Sequence, residues 1–181
     1  MIIPKGIFFT RGVGRHKEYL QSFELALRAA GVEKLNLVTV SSIFPPGCKK
    51  MSKKKGIERM VAGQIAFCVM AKNSSNEFNR LLTAAVGVAI PSEGSHYGYL
   101  SEYHSRGETQ KVAADYAEDL AATMLATTLG IEFNPDEAYD SRKQVYKMSG
   151  KIIRTDAIAQ ASRVRKKNEW TTVVALGVFI Y

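Results

Sequence analysis

Cysteine, histidine and tryptophan are scarce: the 181 residues contain two Cys, three His and one Trp. Cys48 and Cys68 form neither a metal-ligand spacing nor a disulfide framework, which agrees with a reducing compartment. Both read as small hydrophobes. His16, His96 and His104 show no ligand spacing either, so no metal site is expected and they read as surface or hydrogen-bonded groups. No apolar run reaches the ~20 residues needed to cross a bilayer. The opening MIIPKGIFFT lacks a basic lead and a long apolar segment. No membrane partner is expected, and a cytoplasmic location is. Repeats, linkers and low-complexity tracts are absent, and 46% hydrophobic residues at this length fit one domain spanning 1–181.

Acidic residues are outnumbered, 17 against 25 Lys and Arg, giving a net charge of +8. Most of the excess lies in two patches, Lys49, Lys50, Lys53, Lys54, Lys55 and Arg163, Arg165, Lys166, Lys167. Neither is interleaved with aromatics or set in a helix-turn-helix, RNP or zinc pattern, so no nucleic-acid partner is expected. One patch follows Pro-Pro-Gly and the other separates two apolar stretches, so both read as solvated loops.

The pattern of the rest is α+β. Strands are expected at 7–10, 35–41, 64–71, 97–104, 151–161 and 170–181, and helices at 17–30, closed by Gly31, and at 107–129. Residues 51–62 read as a basic connection, 72–77 as a polar turn and Gly12-Val13-Gly14 as a glycine turn too short to cradle phosphate. Residues 80–90 are ambiguous by composition: Ala and Leu favour helix, while VGVAIP ends like a strand. Without a regular βαβ alternation, antiparallel or mixed sheets follow.

One segment carries chemistry. LNLVTVSSIFPPG places two serines where an apolar strand meets a Pro-Pro turn. A serine hydroxyl can attack the carbonyl of the preceding residue when the backbone holds that peptide in a reactive geometry. The two prolines fix φ and remove two donors, so they can hold such a geometry. By local chemistry alone the better reading is a strand entering a Pro-initiated turn, with the serines satisfying loose backbone groups.

VTVSSIFPPG, then AAVGVAIP, then GYLSEYHS resemble, in order and spacing, the pyruvoyl-dependent arginine decarboxylases. The likeness runs from about Phe23 to about Leu129, with a weaker match in the closing strands. It implies a four-layer αββα sandwich with a strand at 80–90. It also implies a homotrimer with active sites between protomers, while pairing of trimers stays open. It implies self-cleavage between Ser41 and Ser42, leaving a β chain 1–41 and an α chain 42–181.

The same resemblance assigns residues. Ser42 Oγ would attack the Ser41 carbonyl to give an ester, and β-elimination would then release the upstream chain. The dehydroalanine left behind tautomerises to an imine and hydrolyses to pyruvoyl. Ser42 is thus the source of the prosthetic group, and neither metal nor pyridoxal phosphate is expected. A pyruvoyl ketone condenses with an α-amine and accepts electrons as carbon dioxide leaves. Glu102 in LSEY matches the family's catalytic glutamate, a carboxyl that protonates the new Cα. Tyr103, on the alternate face, reads as core, and His104 shares the face of Glu102. Glu24 matches a helix position, usually Asp, whose carboxylate contacts the guanidinium. Glu33 and Leu35 match positions whose backbone carbonyls accept from it. Asn36 matches an asparagine implicated in processing as an oxyanion donor. Ser74-Ser75 lacks the Ile-Phe-Pro-Pro context and reads as structural.

The expectation is therefore decarboxylation of L-arginine to agmatine. Two alternatives stay open here: the same chemistry on another amino acid, since Glu24 is one methylene longer than Asp, and a basic RNA-binding domain without catalysis.

Overall fold

A computed structural model describes residues 2–181, for Ile153 the backbone alone. The chain folds as β1 (Gly6–His16), α1 (Tyr19–Ala30), β2 (Asn36–Thr39), β3 (Ile43–Phe44), β4 (Lys49–Met51), α2 (Lys53–Glu58) and β5 (Ile65–Ser75). It continues as β6 (Leu81–Pro91), β7 (Gly98–Arg106), α3 (Gln110–Thr128), α4 (Tyr139–Met148), β8 (Ile152–Arg163) and β9 (Trp170–Ile180). The fold is α+β. One sheet has the order β2-β5-β9-β1-β4, and the other β3-β7-β6-β8. The first is mixed, with β1–β4 and β2–β5 parallel; the second is antiparallel throughout. The sheets face each other across a core containing Ile7, Val69, Val86, Leu100, Val173 and Phe179.

Each sheet carries a long helix on its outer face, and glycines set how close that helix lies. A Cβ at Gly12 would sit 2.1 Å from Ala26 O, and one at Gly14 would sit 2.0 Å from Ser22 O. Small residues Ser22, Ala26 and Ala30 form the buried side of α1, so helix and strand touch backbone to backbone. In the second sheet a Cβ at Gly87 would lie 2.1 Å from Ala117 O, beneath the alanine face of α3. Gly31, at φ +80°, closes α1 as expected.

Several expectations are corrected. Gly12-Val13-Gly14 is no turn: β1 runs unbroken through it because α1 needs bare backbone there. Residues 72–77 are not a polar turn either, since β5 continues to Ser75. Asn73 Nδ2 donates to Thr83 O and Ser105 O, and Ser74 bonds Thr172, so polar side chains tie this strand in. Ser74 and Ser75 are structural, as read. The first basic patch is β4 and α2, not a loop. Residues 80–90 are strand β6, and the ambiguity has a cause: nearly every position is buried, so no alternation shows. Helix α4 had no signal in the sequence. It is held by Arg142–Asp119 and Lys143–Glu118 ion pairs to α3 and by buried Tyr146.

Candidate active site

β2 runs parallel to β5, with the Val40 N–H donating to Cys68 O at 3.0 Å. There the chain leaves the first sheet. Ser42 O accepts from the Leu100 N–H at 2.7 Å, and Ile43 and Phe44 pair with Tyr99 and Gly98 of β7. The Ser41–Ser42 peptide is thus the bridge between the two sheets, anchored on each side. Buried Phe44 fixes the exit into the core. Pro45, Pro46, Gly47 and Cys48 then form a tight turn closed by the Cys48 N–H on Pro45 O, with Gly47 at φ +68°. Pro at the second position and positive-φ Gly at the third are what a type II turn requires. Ser41 is exposed and Ser42 half-buried, beside an apolar cavity of about 310 Å³ bounded by Val40, Ile43, Phe67 and Tyr181.

Glu102 lies two positions beyond Leu100 on β7, on the same strand face, which is turned toward the first sheet. β2 stops pairing at Thr39–Cys68, so the edge of β5 is uncovered from Met70 onward. Glu102 approaches that edge. Partial desolvation pushes its carboxyl above the usual value, while the facing Met70 N–H and His104 pull the other way. The Cys68 thiol, buried and next to that carboxylate, is pushed up to about 12 and stays neutral. One backbone pairing thus sets Ser42 two strand positions from Glu102. Tyr103 turns to the opposite face as read, its hydroxyl donating to Glu108 and its ring 4.3 Å from Tyr116 on α3.

The recognition residues lie elsewhere. Glu24 is on α1, outside the first sheet, where its Oε1 accepts from Arg28 Nη2 at 2.7 Å and Nε at 3.1 Å. Gln21 Nε2 donates to its other oxygen at 3.0 Å. This carboxylate already grips a guanidinium. Glu33 and Leu35 precede β2, the first exposed and the second buried. Asn36 opens β2 and gives its side-chain N–H to Gly63 O at 2.8 Å, so within one chain it is remote from the Ser41 carbonyl. The strand covers about 13 Å from Asn36 to Val40 at ~3.3 Å per residue. An arginine side chain, five bonds of about 1.5 Å, spans roughly 6 Å between Cα and guanidinium carbon. No single arginine can touch both ends of β2 in one chain.

A wider cavity, about 740 Å³, lies on the far side of Glu102 and is lined by Tyr19, Lys72, His104, Arg106 and Trp170. Its cations make it a poor place for a guanidinium, so size does not mark the substrate site here.

The sequence matches the family described as "Pyruvoyl-dependent arginine decarboxylase" over residues 6–181. The chain belongs to that family. A "Probable pyruvoyl-dependent arginine decarboxylase" of Chloroherpeton thalassium is 58% identical over 178 residues, covering 98% of each chain. The "Pyruvoyl-dependent arginine decarboxylase" of Methanococcoides burtonii is 54% identical over 179 residues, covering 99% of each. One from Methanosarcina acetivorans, "Pyruvoyl-dependent arginine decarboxylase 2", is 53% identical over 179 residues, covering 99% of this chain and 98% of its own. These matches bear out the family, the decarboxylase class and the pyruvoyl group expected from the three motif blocks. They favour the arginine reading over the alternatives.

Proposed function

We propose that the chain cuts itself between Ser41 and Ser42 and that the resulting enzyme decarboxylates L-arginine to agmatine and carbon dioxide. The observation that carries this is the bridging peptide. The Leu100 N–H on Ser42 O sets the serine two strand positions from Glu102. The residues fit the group: position 42 supplies its three carbons, at a half-buried site beside a carboxyl with a raised pKa. Once formed, the pyruvoyl ketone supplies an electron sink for the departing carboxylate. Glu102 holds the proton destined for the substrate Cα, and its raised pKa keeps it protonated to higher pH than an ordinary glutamate.

Glu24 then supplies the carboxylate for the guanidinium, with the carbonyls of Glu33 and Leu35 accepting alongside it. Because one arginine cannot bridge the two ends of β2, the Glu33 and Leu35 carbonyls act on a substrate held at Ser42 of a second copy, and Glu24, on the opposite face of the first sheet from Glu102, acts with them. Asn36 falls on the same side and would take part in processing from that second copy. The helix–sheet–sheet–helix order supports the αββα sandwich of the family. The uncovered edges of β5 past Cys68 and of β7 past Leu100 support association of copies. A homotrimer is the assembly that the family resemblance implies.

Intact-mass spectra test the reading. Wild type yields fragments 1–41 and 42–181, the second with a carbonyl-reactive N-terminus, whereas Ser42→Ala stays whole and inactive. A whole wild-type chain that decarboxylates arginine overturns the mechanism.

A further inference from the structure

Self-cleavage needs a donor for the oxygen that becomes negative when Ser42 Oγ attacks the Ser41 carbonyl. Asn36 does not fill that place within the chain, since its amide is bound to Gly63 O at the opposite end of β2. Another donor is already there. The Ile43 N–H donates to Ser41 O at 3.0 Å, closing a three-residue turn centred on Ser42. We propose that this backbone N–H is the oxyanion donor of the self-cleavage, resting on the Ser41–Ser42 cleavage put forward above.

The geometry suits the role. Oxyanion donors work at about 2.7–3.1 Å from the oxygen they stabilise. The turn is held from outside: Val40 is fastened to Cys68 O, and Ser42 O is fastened to the Leu100 N–H. Phe44 pins the chain just beyond Ile43 in the core. The donor is therefore held against the carbonyl oxygen before reaction, so little rearrangement is needed when that oxygen becomes charged. Its hydrogen bond strengthens as the carbonyl becomes an oxyanion, so it stabilises the transition state more than the ground state.

The step balances without a co-reactant. Ser42 Oγ forms a bond to the Ser41 carbonyl carbon, and the carbon–nitrogen bond of the Ser41–Ser42 peptide breaks. The hydroxyl proton ends on the freed Ser42 nitrogen. The oxygen held by the Ile43 N–H carries the charge only while the carbon is tetrahedral. It then returns as the carbonyl of the new ester.

Replacing Ile43 in the full-length chain by its α-hydroxy acid turns the Ser42–Ile43 amide into an ester and deletes only this N–H. Cleavage, followed by intact mass after synthesis, is expected to slow about 10²–10³-fold, the loss seen when one oxyanion donor is removed. The same exchange at Val61, whose N–H merely donates to the Gln64 side chain, is expected to cleave at the wild-type rate and controls for the chemistry. Ile43→Pro also lacks the donor and must be slow as well. Should the Ile43 ester or Ile43→Pro cleave as fast as wild type, the donor is overturned while the cleavage stands. A wild-type chain never cut between Ser41 and Ser42 overturns the underlying reading, and this donor with it.

Discussion

At its C-terminal end β2 hands the chain to a second sheet with the backbone tied down on both sides of Ser41–Ser42. At its N-terminal end stand Glu33, Leu35 and Asn36, and Glu24, on α1 in the outer layer and level with the far end of β5, already holds Arg28 and Gln21. The contrast follows from what each end has to do. An attack by Ser42 on its own neighbour is intramolecular, so nucleophile, carbonyl and the turn that holds them belong to one chain. Recognition of a free amino acid requires its two ends to be held at once. Here the Glu33 and Leu35 carbonyls lie farther from Ser42 than an arginine reaches, and Glu24 lies on the opposite face of the first sheet from Glu102. On the reading proposed above, cleavage draws chiefly on the fold, and substrate choice on the assembly.

The sharpest test of the cleavage end is Glu102→Gln. The amide keeps the size of the side chain and cannot give up a proton as an acid, so turnover by the cleaved fraction is expected to fall by roughly 10²–10⁴. Restricting the comparison to cleaved protein matters, because processing can suffer as well. Near-normal decarboxylation by that fraction would remove Glu102 from the chemistry.

At the recognition end the expected loss is smaller. Glu24→Gln is predicted to raise the KM for arginine by about 10–150-fold, the equivalent of roughly 1.5–3 kcal/mol for a hydrogen bond to a charged group. Self-cleavage should continue unchanged, since Glu24 lies on α1, across the first sheet from Glu102. Lysine and ornithine should remain poor substrates for wild type, because an ammonium cannot match a planar two-point contact. Co-expressing Glu24→Gln with Ser42→Ala then asks whether the two ends belong to one site. In randomly mixed rings roughly a quarter of the sites would pair an intact Ser42 with an intact Glu24 from the next copy. Activity at low arginine should therefore exceed that of either variant alone. No recovery would place both ends in one chain and break the comparison.

The sequence announced the cleavage end more clearly than the recognition end. The serines, the Pro-Pro turn and GYLSEYHS sit in contiguous motifs, and short antiparallel pairing then brings Ser42 beside Glu102. Glu24, Glu33, Leu35 and Asn36 had no local signature and depended on resemblance alone. In the fold, β-branched runs marked β2, and Gly31 closed α1 as read. What was missed depends on partners far along the chain. Gly12 and Gly14 stay in strand because α1 lies on them, and Asn73 and Ser74 stay in strand because the other sheet and Thr172 bind them. Helix α4 is stabilised by ion pairs to α3 rather than by an apolar stripe. The Ile43 donor is invisible to any reading of side chains, since nearly every residue carries a backbone N–H.

The smallest predicted effect concerns how the cleavage end keeps its acid protonated. Desolvation is the larger influence on Glu102 and raises its pKa, while the Met70 N–H and His104 oppose it. A protonated His104 favours the charged carboxylate, so it shortens the pH range over which Glu102 can act as an acid. Cys68, pushed up to about 12, carries no charge in that range and leaves the balance to the other groups. Removing the imidazole must therefore raise the Glu102 pKa further. As pH rises, His104→Gln should hold its kcat to higher pH than wild type, moving the alkaline limb upward. The acidic side and the extent of cleavage should change little. Profiles of kcat against pH for the cleaved fractions of both proteins decide it. An alkaline limb that stays in place would separate His104 from the acid, and one that moves downward would mean that His104 holds the proton on Glu102 rather than driving it off.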